Sequence, residues 1–419
     1  MTPERLDTLA ARVRGRSLPA LLLDLDAFDR NVAKIRDAAQ KAGKPLRIAS
    51  KSLRCPELQA RILRSNPAGM PRVFQGVLTY SLAESLYLAE RHDPAQEGPL
   101  DLLLAYPSLE TDSLPRLAET LRKHPGFLTV MVDDRLHLEF WADFCKRHSL
   151  TQKLPICIDL DQSYRVSPSA RASVHLGVRR SPIRTTKDLE LLLRELRSFP
   201  SLELRGLMGY EAQIAGLPDR NPFHPLLNAP KKLIKALSVR DVAQKRRAAL
   251  ECVQEHLGKA PAFFNGGGTG SLRTTGEDPS VTELTAGSGF FQSHLFDYYE
   301  DSFLEPALYF ALRVTRAPEP GVVTCQSGGF IASGEIGPEK APVPVYPLGL
   351  EPFPTEGFGE VQTPFRVPRG LSLSPGEVVL CRPAKAGEVT EHFHEILAFS
   401  KDQPPVSFAT YRGLGHTFR

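Results

Sequence analysis

Residues 18–50 read LPALLLDLDAFDRNVAKIRDAAQKAGKPLRIAS, and this stretch carries the pattern that decides the fold. Its two ends, LPALLLDL (18–25) and PLRIAS (45–50), are short apolar runs. Their apolarity is continuous rather than alternating, which suits parallel strands buried on both faces. Between them FDRNVAKIRDAAQKAG places apolar residues three to four apart, the mark of a helix with one buried face. Asp26 can cap that helix and Gly43 can close it. The same alternation continues through PLDLLLAY (99–106), FLTVMVDD (127–134), LPICIDL (154–160), LELRGLMGY (202–210) and AFFNGGG (262–268). A second clear helical segment, TTKDLELLLRELRSF, can take its cap from Thr186. Repeated strand–helix units predict an α/β chain with a (β/α)8 barrel over residues 18–300, a doubly wound open sheet being the alternative.

Beyond that span the pattern changes. From about 305 to 400 Pro and Gly recur, and the runs ALYFALRV, GVVTC, GEVVLC and FHEILAF lack helical segments between them. Residues 301–419 are therefore expected to form a β domain. MTPERLDTLAARVRGR reads as a short amphipathic helix, leaving residues 1–17 free to pack against that domain. With 419 residues, 42% of them hydrophobic, the chain exceeds one typical domain and suits a barrel plus a smaller unit. It carries no obvious repeat, coiled coil or low-complexity tract.

Charge and cysteine usage exclude several function classes. Fifty-two basic residues against 48 acidic ones leave a net charge of +4, with no concentrated basic patch to suggest a nucleic-acid partner. The cysteines at 55, 145, 157, 252, 325 and 381 include no CxxC pair, so scattered buried thiols are expected rather than a disulfide framework. No stretch resembles a signal peptide, and the apolar runs are too short to span a bilayer. The expectation is a soluble, cytoplasmic protein acting on a small molecule.

Two segments carry chemistry. Lys51, in RIASKSLRCPEL, stands one residue beyond an apolar strand, which in a barrel places it at the C-terminal face where active sites gather. There a partly desolvated amine can act as a nucleophile, although the local pattern alone also suits a solvated loop lysine. The second segment is FFNGGGTGSLRTTG, residues 263–276. Glycines at 266, 267, 268 and 270 let the backbone turn its amides inward, and Thr269 and Ser271 add hydroxyls, which together can bind a phosphate. The alternative is a flexible loop. The spacing matches neither GxxxxGK[ST] nor GxGxxG followed by an acidic residue, which disfavours a nucleotide.

Taken in order, these segments resemble the fold-type-III pyridoxal-phosphate (PLP) enzymes: alanine racemase, D-threonine aldolase and D-serine dehydratase. LPALLLDLDAFDRNVAKI is similar to that group's opening strand and helix, and RIASKSLRCPEL to its cofactor-lysine segment. LRGLMGYEAQIAG is similar to a cofactor-facing strand, and FFNGGGTGSLRTTG with VTELTAGSGFF to its phosphate cradle. HLGVRRSPI and RPAKAGEVTEHF resemble markers of a subgroup described as amino-acid deaminase/aldolase or racemase-like. The resemblance implies that Lys51 holds PLP as a Schiff base, that Gly267, Gly268, Thr269 and Gly270 cradle the phosphate, and that Ser288 and Gly289 close its other side. It places Tyr210 and Gln213 against the ring, offers Arg165 as a contact to the ring or its phenolate, and offers Arg179 and Arg180 to a substrate carboxylate. Tyr210 also suits a barrel-core aromatic, and the arginines also suit surface ion pairs.

One departure stands out. D-threonine aldolase and D-serine dehydratase bind a divalent metal through a PxHxC-like stretch, whose counterpart here is Cys381 to Glu388, CRPAKAGE. Lys385 stands at the histidine's place and Gly387 at the second ligand's, and neither side chain coordinates a metal. The implied site is metal-free, with the Lys385 ammonium in the metal's role. A displaced pair at His392 and His394, placed by their spacing on one strand face, is the alternative. The first expectation is a lyase of aldolase or dehydratase type acting on β-hydroxy amino acids. An amino-acid racemase comes second, and a PLP-binding homeostasis protein without turnover is the rival from another class. A homodimer is expected by analogy with the fold.

Overall fold

The computed structural model of the chain describes residues 3–67, 69–169, 172–401 and 403–418. Eight parallel strands close a barrel: β2 (Leu46–Ala49), β3 (Phe74–Thr79), β4 (Leu102–Leu104), β5 (Leu128–Val132), β6 (Leu154–Asp159), β9 (Leu202–Gly209), β10 (Phe263–Gly266) and β11 (Glu283–Ala286). Between β6 and β9 the chain makes an antiparallel hairpin, β7 (Tyr164–Ser169) and β8 (Ala172–Leu176). Helices cover the outside of the barrel, including Leu25–Lys41, Thr186–Leu196 and the 30-residue Asn228–Leu257. Their caps sit slightly upstream of the expected residues. Asp24, not Asp26, accepts from Ala27 N at 3.0 Å, and Thr185, not Thr186, forms a capping box with Asp188.

The opening strand corrects the sequence reading. β1 (Ala20–Asp24) is not a barrel strand; it lies inside the second sheet, antiparallel to β12 (Leu308–Glu319) and parallel to β18 (Glu395–Phe399). That sheet runs β15 (Glu351–Pro352), β16 (Gln362–Arg366), β13 (Val322–Gln326), β12, β1, β18 and β19 (Val406–Ala409). β17 (Val378–Arg382) pairs with β12 and β14 (Val343–Tyr346). The continuous apolarity of β1 has a different cause from that of the barrel strands. Leu21 and Leu23 join the main core shared with the barrel, while Ala20 and Leu22 pack under helix Pro3–Val13, which contributes Leu6, Leu9, Ala10 and Val13. All six cysteines are buried and unpaired. Among the described residues no helix is long and apolar enough to cross a membrane.

The barrel interior is polar at its floor. Arg47, 1% exposed, donates to Glu283 at 2.8 and 2.9 Å and to Asp101 at 3.2 Å. Arg205 reaches Asp101 at 3.0 Å and Thr129 at 2.9 Å, and Asn265 donates to Glu283 at 2.7 Å. Above this layer Leu78, Leu103, Met131, Cys157, Met208 and Phe263 form an apolar plug. Side chains alternate along a strand, so residues two further on also point inward, now at the C-terminal mouth.

Candidate active site

Beyond the plug, β4 leads through Ala105 to Tyr106, β5 is followed by Asp133, β6 ends at Asp159 and β9 is followed by Tyr210. β2 continues past Ala49 to Lys51. A cavity of about 130 Å³ at this mouth is lined by Lys51, Tyr106, Arg180, Tyr210, the glycine loop 266–269 and residues 285–288. A larger groove, about 770 Å³, lies outside between helices Leu25–Lys41 and Asn228–Leu257 and shares only Thr269 and Phe296 with the mouth. Its charges are largely paired with one another: Lys235 with Asp219 at 2.8 Å, Lys232 with Glu300 at 2.9 Å and Arg273 with Asp301 at 2.8 Å. The smaller cavity holds the unmatched chemistry.

Lys51 sits in a 3-10 turn, Ser50–Ser52, directly after its strand. Its Nζ donates to Tyr106 Oη at 2.8 Å and stands 5.6 Å from that ring's centre. Burial pushes the Tyr106 phenol up, but the charges of Lys51 and Arg180 outweigh it and hold the phenol below its usual range. Arg180 bridges the two tyrosines, with its guanidinium 5.6 Å from the Tyr106 ring and 5.5 Å from the Tyr210 ring. Tyr210 moves the other way: burial, with Glu211 beside it, pushes its phenol up to about 12.

The glycine loop faces Lys51 across the cavity. Gly267 has φ +93°, a conformation that suits glycine. A Cβ on Gly270 would stand 2.4 Å from the Ala215 carbonyl oxygen, and one on Gly287 2.9 Å from Ala49 Cβ. The loop is anchored from behind by Glu211, fully buried, which accepts from Arg246 Nη2 at 2.6 Å, Ser271 Oγ at 2.8 Å, Gly267 N at 3.2 Å and Thr275 Oγ1. Gly268 N is also used within the loop, donating to Ser271 Oγ at 3.2 Å. The amides of Thr269 and Gly270 open the short 3-10 helix Thr269–Ser271, where backbone donors have no partner within the helix. Thr269 Oγ1 accepts from Gly289 N at 2.9 Å, and Ser288 Oγ meets Ser52 Oγ at 3.0 Å, so residues 288–289 close against both the loop and the lysine turn.

Other sequence candidates lie elsewhere. Arg165 pairs with Asp161 at 3.0 Å and is no part of the cavity lining; Arg180 occupies the mouth instead. Arg179 is exposed. Gln213 is buried, donates to the Gln162 carbonyl at 2.5 Å and does not line the cavity. His392 and His394 do not share a strand face, because the strand begins at Glu395; both are exposed and His392 leans on Phe330. Among the described residues no group of three or more His, Cys, Asp or Glu is arranged to hold a metal ion.

The segment 382–388 docks on the lysine turn. A Cβ on Gly387 would fall 2.0 Å from the Lys51 carbonyl oxygen, so only glycine permits this approach. Lys385 donates to the Ser333 carbonyl at 2.7 Å. Burial lowers its pKa, and the nearby charges of Lys340 and Lys51 act in the same direction against Glu388. Asp159 was not singled out from sequence, yet it is 8% exposed at the mouth, and burial with Asp133 beside it raises its carboxyl to about 7 despite Arg180. Tyr106 and Asp159 both close apolar runs legible in the sequence, which is the signal that could have found them. Glu211 and Arg246 carried no such signal.

No family model matches the chain. It is 25% identical over 273 residues to 3-hydroxy-D-aspartate aldolase of Paracoccus denitrificans, a match covering 65% of this chain and 60% of that relative. Among solved structures it superposes on D-threonine aldolase from Filomicrobium marinum with a TM-score of 0.73 at 18% identity, covering 96% of this chain and 98% of that one. The fold is that of the D-threonine aldolases. It also matches D-threo-3-hydroxyaspartate dehydratase from Delftia sp. HT23 (TM-score 0.69, 17% identity, 95% and 98% covered). An alanine-racemase-like protein from Idiomarina loihiensis follows (TM-score 0.66, 16% identity, 95% and 98% covered).

Proposed function

We propose that the chain is a PLP-dependent lyase of aldolase or dehydratase type acting on β-hydroxy amino acids. The observation that carries this reading is one cavity with the Lys51 amine on one side and, on the other, a glycine loop held by a left-handed Gly267 and by tight packing behind Gly266. That arrangement fits an aromatic aldehyde bearing a phosphate, and the names of the similar aldolases and dehydratase point to the same substrate class. When bound, PLP supplies an electron sink for bonds at the substrate's Cα.

The chain's own residues divide the remaining tasks. Lys51 Nζ would hold the cofactor covalently. The amides of Thr269 and Gly270 would meet the phosphate, with Ser288 and Gly289 at its flank. Tyr210 would lie against the ring, and Arg180, held between two aromatic faces, would take the substrate carboxylate. Lys385 would set a positive charge where related enzymes of this fold place a metal, facing the oxygen on Cβ. Gly387 cannot be replaced by a ligating residue without moving the Lys51 turn.

Borohydride reduction of the yellow holoprotein and peptide mapping should place the pyridoxyl group on Lys51; recovery on Lys44 or Lys385 would refute the assignment. Screening D- and L-amino acids for aldehyde, keto acid and racemised product then separates lyase from racemase. A holoprotein whose spectrum no amino acid alters would instead be a cofactor-binding protein without turnover.

A further inference from the structure

We propose that Tyr106 is the proton partner of Lys51, its phenol oxygen taking the proton that the lysine must lose before its nitrogen can attack a carbonyl. This deepens the reading of Lys51 as the cofactor lysine and rests on it. A lysine side chain is an ammonium at neutral pH and has no lone pair to offer. Tyr106 Oη is 2.8 Å from Nζ, within direct transfer distance. Tyr106 lies two residues past β4 and Lys51 two residues past β2, two strands along the barrel, so short strand extensions hold the pair in place.

The surroundings favour a phenol able to give up and regain a proton. The groups that face it are the Lys51 ammonium, the Arg180 guanidinium, the Tyr210 phenol and Asp159. Two cations oppose one carboxyl, and that carboxyl is itself driven toward its neutral form by burial and by Asp133. The phenol of Tyr106 is accordingly held low, while Tyr210, on the other face of the same arginine but beside Glu211, is held high. Arg180 draws both phenols down; Lys51 beside Tyr106, and the burial of Tyr210 next to Glu211, separate a titrating tyrosine from a fixed one. In the transfer an N–H bond of the Lys51 ammonium breaks and its electron pair stays on Nζ as the lone pair. The proton forms the O–H bond of Tyr106, whose own proton was lost earlier to solvent. The pair keeps its charge, passing from ammonium and phenolate to amine and phenol.

The test uses the full chain freed of cofactor. Ultraviolet titration should find one of the ten tyrosines ionising below the rest. Tyr106→Phe should remove that transition, and Lys51→Met should move it upward. Addition of pyridoxal phosphate, followed by growth of the yellow band at several pH values, supplies the second readout. Tyr106→Phe should load about 10²-fold more slowly near neutrality, the lower range for a positioned proton-transfer group. It should approach the wild-type rate at about pH 10, where solvent deprotonates a lysine. A purely structural tyrosine would slow loading equally at every pH, and that result, a wild-type rate throughout, or no early-titrating phenol would overturn the proposal. Failure of the cofactor assignment is distinct: pyridoxal phosphate would then reduce onto another lysine of the wild-type chain, while the phenol titration would still decide whether Tyr106 and Lys51 share a proton.

Discussion

The floor and the mouth of the barrel are built by the same strands, a few residues apart, and treat charge in opposite ways. At the floor Arg47, Arg205, Asp101 and Glu283 form a closed network in which both guanidiniums meet carboxylates and Thr129 and Asn265 take further bonds. At the mouth the cations lean on aromatic faces: Lys51 on Tyr106, and Arg180 on Tyr106 and Tyr210. Among the described residues the Asp159 carboxylate forms no ion pair and draws only on the Leu160 backbone N–H, and Asp133 pairs with His137 at 3.1 Å. A fully paired buried network resists proton exchange because every charge is held by its neighbour. An under-paired one leaves groups whose protonation responds to what enters. The same lumen is closed into ion pairs below and left open to titration above.

The contrast breaks first at Arg47. Arg47→Met strands Glu283 inside the barrel, leaves Asp101 to Arg205 alone, and should cost about 3–5 kcal/mol of stability by urea unfolding. A loss under ~1 kcal/mol would mean the floor is no more committed to structure than the mouth. Lys385→Met tests the mouth from the side of the second sheet. Cofactor binding should persist while turnover falls by about 10²–10³-fold, the scale for removing one preorganised electrostatic partner. Activity abolished by chelation and restored by zinc or manganese would instead give the role to a metal.

The last test concerns Asp159. Its carboxyl is raised to about 7 from 3.8. Between those values the folded protein keeps a proton that the unfolded chain has lost, so stability falls as pH rises through this window and levels off above it. Asp159→Asn removes that cost and should be more stable than the wild type at pH 8 by up to about 4 kcal/mol, with no advantage below pH 4. Identical pH dependence in the two proteins would show that Asp159 is paired after all.

Most of the barrel was legible because burial on both faces makes parallel strands apolar. The exceptions follow from the floor network. β3, FQGVLT, hides its apolarity behind Gly76, where a Cβ would stand 2.3 Å from the Asp101 carbonyl oxygen and 2.7 Å from Arg47. β11 carries Glu283 and Thr285 inward to meet Arg47 and Asn265. β1 misled for the converse reason: apolarity reports that a strand is covered, not which sheet covers it. At the site, Lys51 and the glycine loop stood out because strand ends and clustered glycines have a sequence signature. Choosing Arg180 over Arg165 needed the fold, since both follow β6 and only one reaches back over the mouth. Lys385 had a sequence frame but no visible distance to Lys51 until Gly387 was seen against that turn.

The placement of β1 also bears on how the chain is made. Leu21 pairs with Phe310 and with Ile396, so a strand made before the barrel waits for neighbours translated after it. Barrel strands β2 to β11 leave the ribosome in order and can close on one another first, while β1, apolar on both faces, has no sheet to enter. Such long-range pairing is the slow part of folding and the part most open to capture by other chains. The second sheet is therefore a late clasp joining the segment before the barrel to the strands after it, rather than a separate unit appended to a finished barrel. A nascent chain stalled before β12 would hold all eight barrel strands and an orphaned hydrophobic β1, a species that quality-control machinery is built to recognise.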